Sequence, residues 1–206
     1  MKMKKQISLL LILVANSVVF SQFINSVQVN GGLIFPSNSQ NGPLAAIQLT
    51  HNIDNNWSLY ASVGFSRFDK NRVFTFRYLT DPLSYSEDSH ELYNFSIGGR
   101  LILNTIKTFK IFADIEINYN HLMYNEYEMF LIYDEITYVV TGFYPNINSK
   151  KQTSEGLYGF GAGLGFLQQL SQNFAFSLEY KRLIQTKNMD YFRHYFALSL
   201  GMVYNL

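Results

Sequence analysis

From Ser26 onward, large apolar side chains recur at every second position, with small or polar residues between them. Three stretches share one plan: NNWSLYASVGFSRF from Asn55, KTFKIFADIEINYN from Lys107 and QNFAFSLEYKRL from Gln172. Each opens on a polar turn, reaches an aromatic residue and then alternates strictly, the period of two that marks a half-buried strand. One row of the first holds Trp57, Leu59, Ala61, Val63 and Phe65, and the matching row of the second holds Phe109, Ile111, Ala113, Ile115, Ile117 and Tyr119. Most positions between them carry Ser, Lys, Asp, Glu or Asn.

Another alternating stretch precedes each of these turns. The pattern therefore predicts hairpins turning at 54–56, 104–107 and 170–172, with the earlier strands at 44–53, 90–103 and 154–168. SVQVNGGLIF near the start and the stretch from Tyr191 to Leu206 complete eight up-and-down strands. Connections at the opposite end are uneven: 36–43 and 185–190 are short, whereas 69–89 and 125–153 are long. Tight turns on one side and long loops on the other describe an eight-stranded antiparallel transmembrane β-barrel with its turns in the periplasm and its loops outside. RVFTFRYL and FLIYDEITYVV within the long loops still alternate and are expected to lengthen strands or to form a hairpin above the membrane. Read as two more spanning strands, the second would give about five or six residues each, short of the 9 to 11 a tilted strand needs.

A soluble barrel of lipocalin type is the rival, with its apolar row inside around a ligand. The polar row argues against it. In GLYGFGAGLGF, Gly159, Gly161, Gly163 and Gly165 share one face, opposite Tyr158, Phe160, Ala162, Leu164 and Phe166. Four glycines facing water would weaken a strand for no return, whereas facing inward they make room in a lumen that eight strands leave barely wide enough to fill. Their spacing of two also fails the dinucleotide-binding pattern G-x-G-x-x-G. Aromatic residues on the apolar row fall at two levels: Trp57, Phe109, Phe174 and Tyr204 toward the turns, and Phe65, Tyr93, Tyr119, Tyr158 and Tyr180 toward the loops. Two belts around a band of aliphatic residues are what the two faces of a bilayer favour.

The inward row carries Arg100, Lys110 and Lys181 with Asp114, Glu116 and Glu179. Three charges of each sign predict an ion-pair network that plugs the interior, because buried charges are costly unless paired. A conducting path or proton relay is the functional alternative. Of the histidines, His51 belongs to the turn end, while His90, His121 and His194 fall near the loop rim on different strands and read as interfacial residues. No metal-ligand spacing such as H-E-x-x-H links them, so no metal or other cofactor is expected. Cysteine is absent, which removes thiolate chemistry, disulfides and lipid attachment through a cysteine.

The leader MKMKKQISLLLILVANSVVFSQ joins a basic start to an apolar run from Ile7 to Phe20. It reads as a signal peptide over 1–21, cleaved after Ser21, with the barrel domain over 22–206. A membrane helix would need roughly 20 apolar residues, more than this run offers. Without Lys2, Lys4 and Lys5 the mature chain has 13 basic and 15 acidic residues, a balance that offers no footprint for nucleic acid.

The ending LSLGMVYNL resembles the C-terminal signal of outer-membrane barrels: Leu200, Gly201, Met202 and Tyr204 fit, and Leu206 stands where the family usually has a terminal aromatic. With the leader and the glycine-rich sixth strand, the chain resembles the small barrels of OmpA/OmpX type, also called the porin family, and its leader end and Asn- and Lys-rich composition look like those of Bacteroidota. That resemblance implies an outer-membrane location, contact with outer-membrane lipid and recognition of the ending by the barrel assembly machinery. No peptidoglycan-binding domain is expected beyond the barrel. Relatives of this size include structural proteins, adhesins and lipid A acyl-modifying enzymes. The deacylases among them carry His-x-Ser-Asn, whereas His194 is followed by Tyr-Phe-Ala. The reading is a monomeric, non-enzymatic scaffold that binds an extracellular ligand or protein through the loops at 69–89 and 125–153. A lipid-modifying enzyme and a narrow pore are the alternatives.

Overall fold

A computed structural model describes residues 23–37, 39–69, 84–85, 90–133, 136, 140–186 and 193–206. The leader and RVFTFRYL lie outside the described residues. The strands are β1 (Ser26–Pro36), β2 (Gly42–Asn52), β3 (Trp57–Phe68), β4 (Ser84–Tyr85), β5 (His90–Ile106), β6 (Phe109–Tyr133), β7 (Val140–Pro145), β8 (Lys151–Gln169), β9 (Phe174–Gln185) and β10 (His194–Asn205). Eight of them form a closed antiparallel ring in the order β1, β2, β3, β5, β6, β8, β9, β10, and β10 pairs back onto β1. Short β4 and β7 both add to the upper part of β6.

The register defines the barrel's geometry. Following pairs at right angles to the strands from Ser26 leads through Thr50, Tyr60, Gly98, Glu116, Gly161, Leu183 and Tyr195, and returns to β1 at Pro36, ten residues along. Eight strands with that stagger tilt by about 40° from the axis and enclose a lumen that side chains can fill. Rows of neighbouring residues therefore climb the wall as a spiral.

Local chemistry ends the strands where the turns fall. Asp54 Oδ1 accepts from the backbone N–H groups of Asn56 and Trp57, 2.7 Å each, closing the β2–β3 turn. Lys107 and Thr108 alone join β5 to β6, and Lys107 takes a φ of 56°, the positive value such two-residue turns demand. This turn is shorter and later than 104–107, because β5 continues through Ile106 with a bulge near Leu103.

At the other end, β6 runs for 25 residues, more than twice a spanning strand. Its return arm is β7 and β8, interrupted by one 3-10 turn at Ile147–Ser149. Asn146 caps that turn, and Ser149 Oγ accepts from the Glu128 N–H at 2.8 Å, so the interruption stays pinned to β6. Of FLIYDEITYVV, Phe130–Tyr133 and Val140 thus pair in a hairpin that prolongs the barrel wall, 134–135 and 137–139 lie outside the described residues, and the ring remains eight-stranded.

The apolar row points outward. Ile97 is 63% exposed and Ile115 66%, while Leu59, Val63, Leu164 and Leu200 are also exposed. Both aromatic levels occupy this outer surface. Phe174 lies 5.1 Å from Tyr204 and Phe109 5.2 Å from Phe166 near the turns; toward the loops Phe65 packs on Tyr93, Phe95 on Tyr119 and Tyr119 on Tyr158, whereas Tyr180, expected at that level, stands at the middle of β9 beside Leu164 and Leu198 and stacks on Phe196.

Candidate functional site

The interior is stacked in layers. At the turn end a polar vestibule of about 280 Å³ is lined by Ser26, Thr50, Asn56 and Lys110 at its mouth and by Arg100 at its floor. Above it lies the charge cluster. Arg100, 4% exposed, donates from Nε and Nη2 to the two carboxylate oxygens of Asp114 at 2.8 and 2.9 Å, and from Nη2 to Glu179 Oε1 at 2.7 Å. Its guanidinium also lies 3.7 Å from the ring centroid of Phe112, so its flat face is covered by an aromatic ring while its edge is spent on carboxylates. Lys181 Nζ donates to Glu116 Oε2 at 2.9 Å and stands 3.8 Å from both Asp114 and Glu179.

Lys110 does not join this cluster. Its parity along β6 is inward, but it is the second residue after a turn, so the long side chain stays exposed at the mouth where its ammonium keeps water. Two cations are left to face three carboxylates. Neutral donors supply what the third cation would have given: the Tyr60 hydroxyl donates to Glu116 Oε2 at 2.7 Å, and Gln28 Nε2 donates to Glu179 Oε1 at 2.7 Å. Neither Tyr60 nor Gln28 was singled out by charge, although both share the inward parity of charged neighbours. Tyr60 pairs with Gly98, two residues before Arg100, and a Cβ at Gly98 would strike the Tyr60 ring.

Small residues open the space these side chains use. A Cβ at Gly161 would lie 2.7 Å from Glu116 Cγ, and one at Gly163 2.7 Å from Lys181 Cγ. Gly201, placed by resemblance in the assembly signal, has a steric role inside the lumen. Gln28 reaches from β1 across β10 to Ser177 and Glu179 on β9, and any side chain at Gly201 would collide with Asn30 and Ser177 on that path. Leu200, Met202, Tyr204 and Leu206 are exposed on the outer face of the same strand end, and Leu206 N–H bonds back to the Asn25 carbonyl at 2.9 Å.

Toward the loops the interior changes character. Asn94, Asn118 and Asn120 form a side-chain ladder that meets the Tyr195 hydroxyl, beside a cavity of about 60 Å³. Beyond it an apolar layer fills the lumen: Ile34, Phe68, Leu92, Leu122, Tyr124, Leu157, Leu183, Tyr195 and Ala197, with Leu44 packed against them. Each of the eight ring strands contributes at least one residue. Leu122 is fully buried. His90 belongs here too, which corrects its reading as an interfacial residue. Counting by twos from Arg100 puts it inside, and its ring stacks between Phe68 and Tyr124 at 5.5 and 5.0 Å. The other histidines stand apart: exposed His51 contacts the Phe23 carbonyl, His121 is half-buried on β6, and His194 meets the edge of Phe196. Among the described residues no group of three metal-ligating side chains forms.

No protein-family model matches the sequence, and no curated protein matches it either. Solved structures do. Neisserial surface protein A is similar over 88% of this chain and 96% of its own, with 13% identity and a TM-score of 0.58. A major outer membrane protein of Thermus thermophilus is similar over 88% of this chain and 99% of its own, at 11% identity and a TM-score of 0.53. The N-terminal β-barrel domain of Pseudomonas aeruginosa OprF covers 89% of this chain and 99% of its own, at 11% identity and a TM-score of 0.50. The fold is that of the small eight-stranded outer-membrane barrels.

Proposed function

We propose that the protein is an integral outer-membrane barrel, exported by its leader, whose membrane part is a closed, non-catalytic scaffold and whose β6–β7–β8 hairpin presents an extracellular binding surface. The observation that carries this reading is the double closure of the lumen. A path through the barrel would have to cross both the Arg100 cluster and the layer around Leu122, whose packing is mostly aliphatic and aromatic and offers water few polar partners. The outward apolar band between two aromatic levels supports insertion in a bilayer, and the naming of one structural neighbour as a surface protein agrees with display at the cell exterior. Work left to such a scaffold falls to what projects beyond it, and among the described residues β6 projects furthest. Its added strands give backbone edges and pockets on which an extended partner segment can pair.

Two measurements test the reading together. The folded barrel in planar bilayers is expected to give no single-channel steps, and steady ohmic steps would overturn the closed scaffold. Cells displaying the full chain should adhere to at least one immobilised matrix protein or glycan more strongly than cells displaying a variant that lacks 129–145. Equal adhesion on every surface would remove the hairpin from the function.

A further inference from the structure

The vestibule at the turn end keeps two polar atoms in reserve at its floor. Arg100 spends Nε and Nη2 on Asp114 and Glu179, and Nη1 has no hydrogen-bond partner among the described residues. Gln28 spends Nε2 on Asn30, Ser177 and Glu179, and its Oε1 likewise accepts from no described residue. Side chains only 4% and 1% exposed normally engage every such atom. Neither atom is sealed in the interior, and both side chains line the vestibule. Arg100 Nη2 and Gln28 Nε2 bind the same Glu179 oxygen at 2.7 Å each, which holds the two planar groups in place. The floor therefore offers one fixed donor and one fixed acceptor to whatever enters from the turn side.

The walls repeat that chemistry. Ser26, Ser58, Asn52 and Asn56 line the same space, and their side chains bond to no other described residue. Leu167, Ala175 and Val203 add a small apolar side. Charge narrows the occupant. Arg100 and Lys181 face Asp114, Glu116 and Glu179, and Lys110 and Asp54 at the mouth add one charge of each sign, so three cations stand against four carboxylates. That balance disfavours an anion, while a cation would have to pass Lys110 and meet the guanidinium. A neutral molecule rich in groups that both donate and accept meets neither cost. At about 280 Å³ the vestibule lies just under the roughly 300 Å³ at which sites for drug-sized ligands begin, so it suits one ring rather than a chain.

We infer that the vestibule binds a neutral monosaccharide, with ring hydroxyls on Arg100 Nη1 and Gln28 Oε1 and the C–H face of the ring against Leu167 and Val203. Hydroxyls suit this floor because each both gives and takes a hydrogen bond, whereas a peptide amide sets its N–H and its C=O on opposite sides of a plane. The layers above make the site blind, so the sugar enters and leaves by the turn-end mouth. In that respect alone the inference rests on the closed scaffold. Ohmic steps in planar bilayers would overturn the closure without touching sugar binding, so the two readings fail separately.

The test is saturation-transfer NMR on the exported, folded barrel in phospholipid nanodiscs, with glucose, glucose 6-phosphate and N-acetylalanine methylamide as probes. Glucose should receive the strongest saturation. Ser58→Ala removes a wall hydroxyl and should weaken glucose roughly threefold. Ser26→Trp narrows the mouth and should abolish the signal; both variants leave the bonds of Arg100 and Gln28 in place, and a heat-dependent gel shift reports that they fold. Should Ser26→Trp lose that shift, the Ser58→Ala titration decides. No transfer to glucose from the wild type, or equal transfer from the wild type and both folded variants, would overturn the site. Glucose 6-phosphate bound more tightly than glucose would overturn the neutral assignment, and the methylamide bound more tightly would overturn the sugar.

Discussion

Around Arg100 the lumen is filled by charged side chains that hold one another in place; eight residues earlier on the same strand, around Leu92, it is filled by aliphatic and aromatic side chains drawn from every strand of the ring. Both layers close a barrel of the same width, yet they differ in how they tolerate loss. In the charged layer each group is kept only because its partners are present, so removing one leaves another buried and unpaired. In the apolar layer contacts are many and individually weak, so damage scales with the volume removed. One layer is brittle and specific, the other graded.

The largest test of that contrast is Glu179→Ala. It deprives Arg100 and Gln28 of an acceptor at once and should cost about 3–5 kcal/mol, read as a lower midpoint in urea unfolding followed by the gel shift. A loss below about 1 kcal/mol would show that water replaces the carboxylate and that the layer is not brittle. Ile34→Val in the apolar layer should cost only about 0.5–1.5 kcal/mol in the same assay. A cost equal to that of the charged variant would erase the distinction. Lys110→Ala, at the exposed mouth, should stay within about 0.5 kcal/mol of wild type. A larger drop would mean that its ammonium reaches the cluster after all.

Period two made the ring legible in the sequence, because outward residues contrast sharply with Ser, Asn, Gly and charged residues over the middle of each strand. The charged cluster was legible for the same reason. Lys110 shows the limit: parity gives the side a residue faces but not its depth, and a long side chain near a turn escapes to water. The apolar layer was harder to see because near the loops both rows become apolar. In HELYNF the outward Tyr93 and Phe95 alternate with the inward Leu92, and the contrast that reveals a face disappears. Carrying the count past the belt from Arg100 through Ser96 would have placed Leu92 and His90 inside. Gln28 and Tyr60, neutral and inconspicuous in composition, owe their importance to the stagger of the ring, which no single strand displays.

That stagger bears on how such a molecule is completed. Gln28 lies near the start of the first strand, and its acceptors Ser177 and Glu179 lie on the ninth, with the last strand between them and Gly201 bare beneath its reach. These bonds have no counterpart in any partial sheet, since the two ends of the chain must already be zipped together for the amide to cross. Arg100 and Glu179 meet across the same enclosed space. Sealing the seam and neutralising the interior are thus one event, and an unfinished barrel would advertise itself by a carboxylate still waiting for its donor.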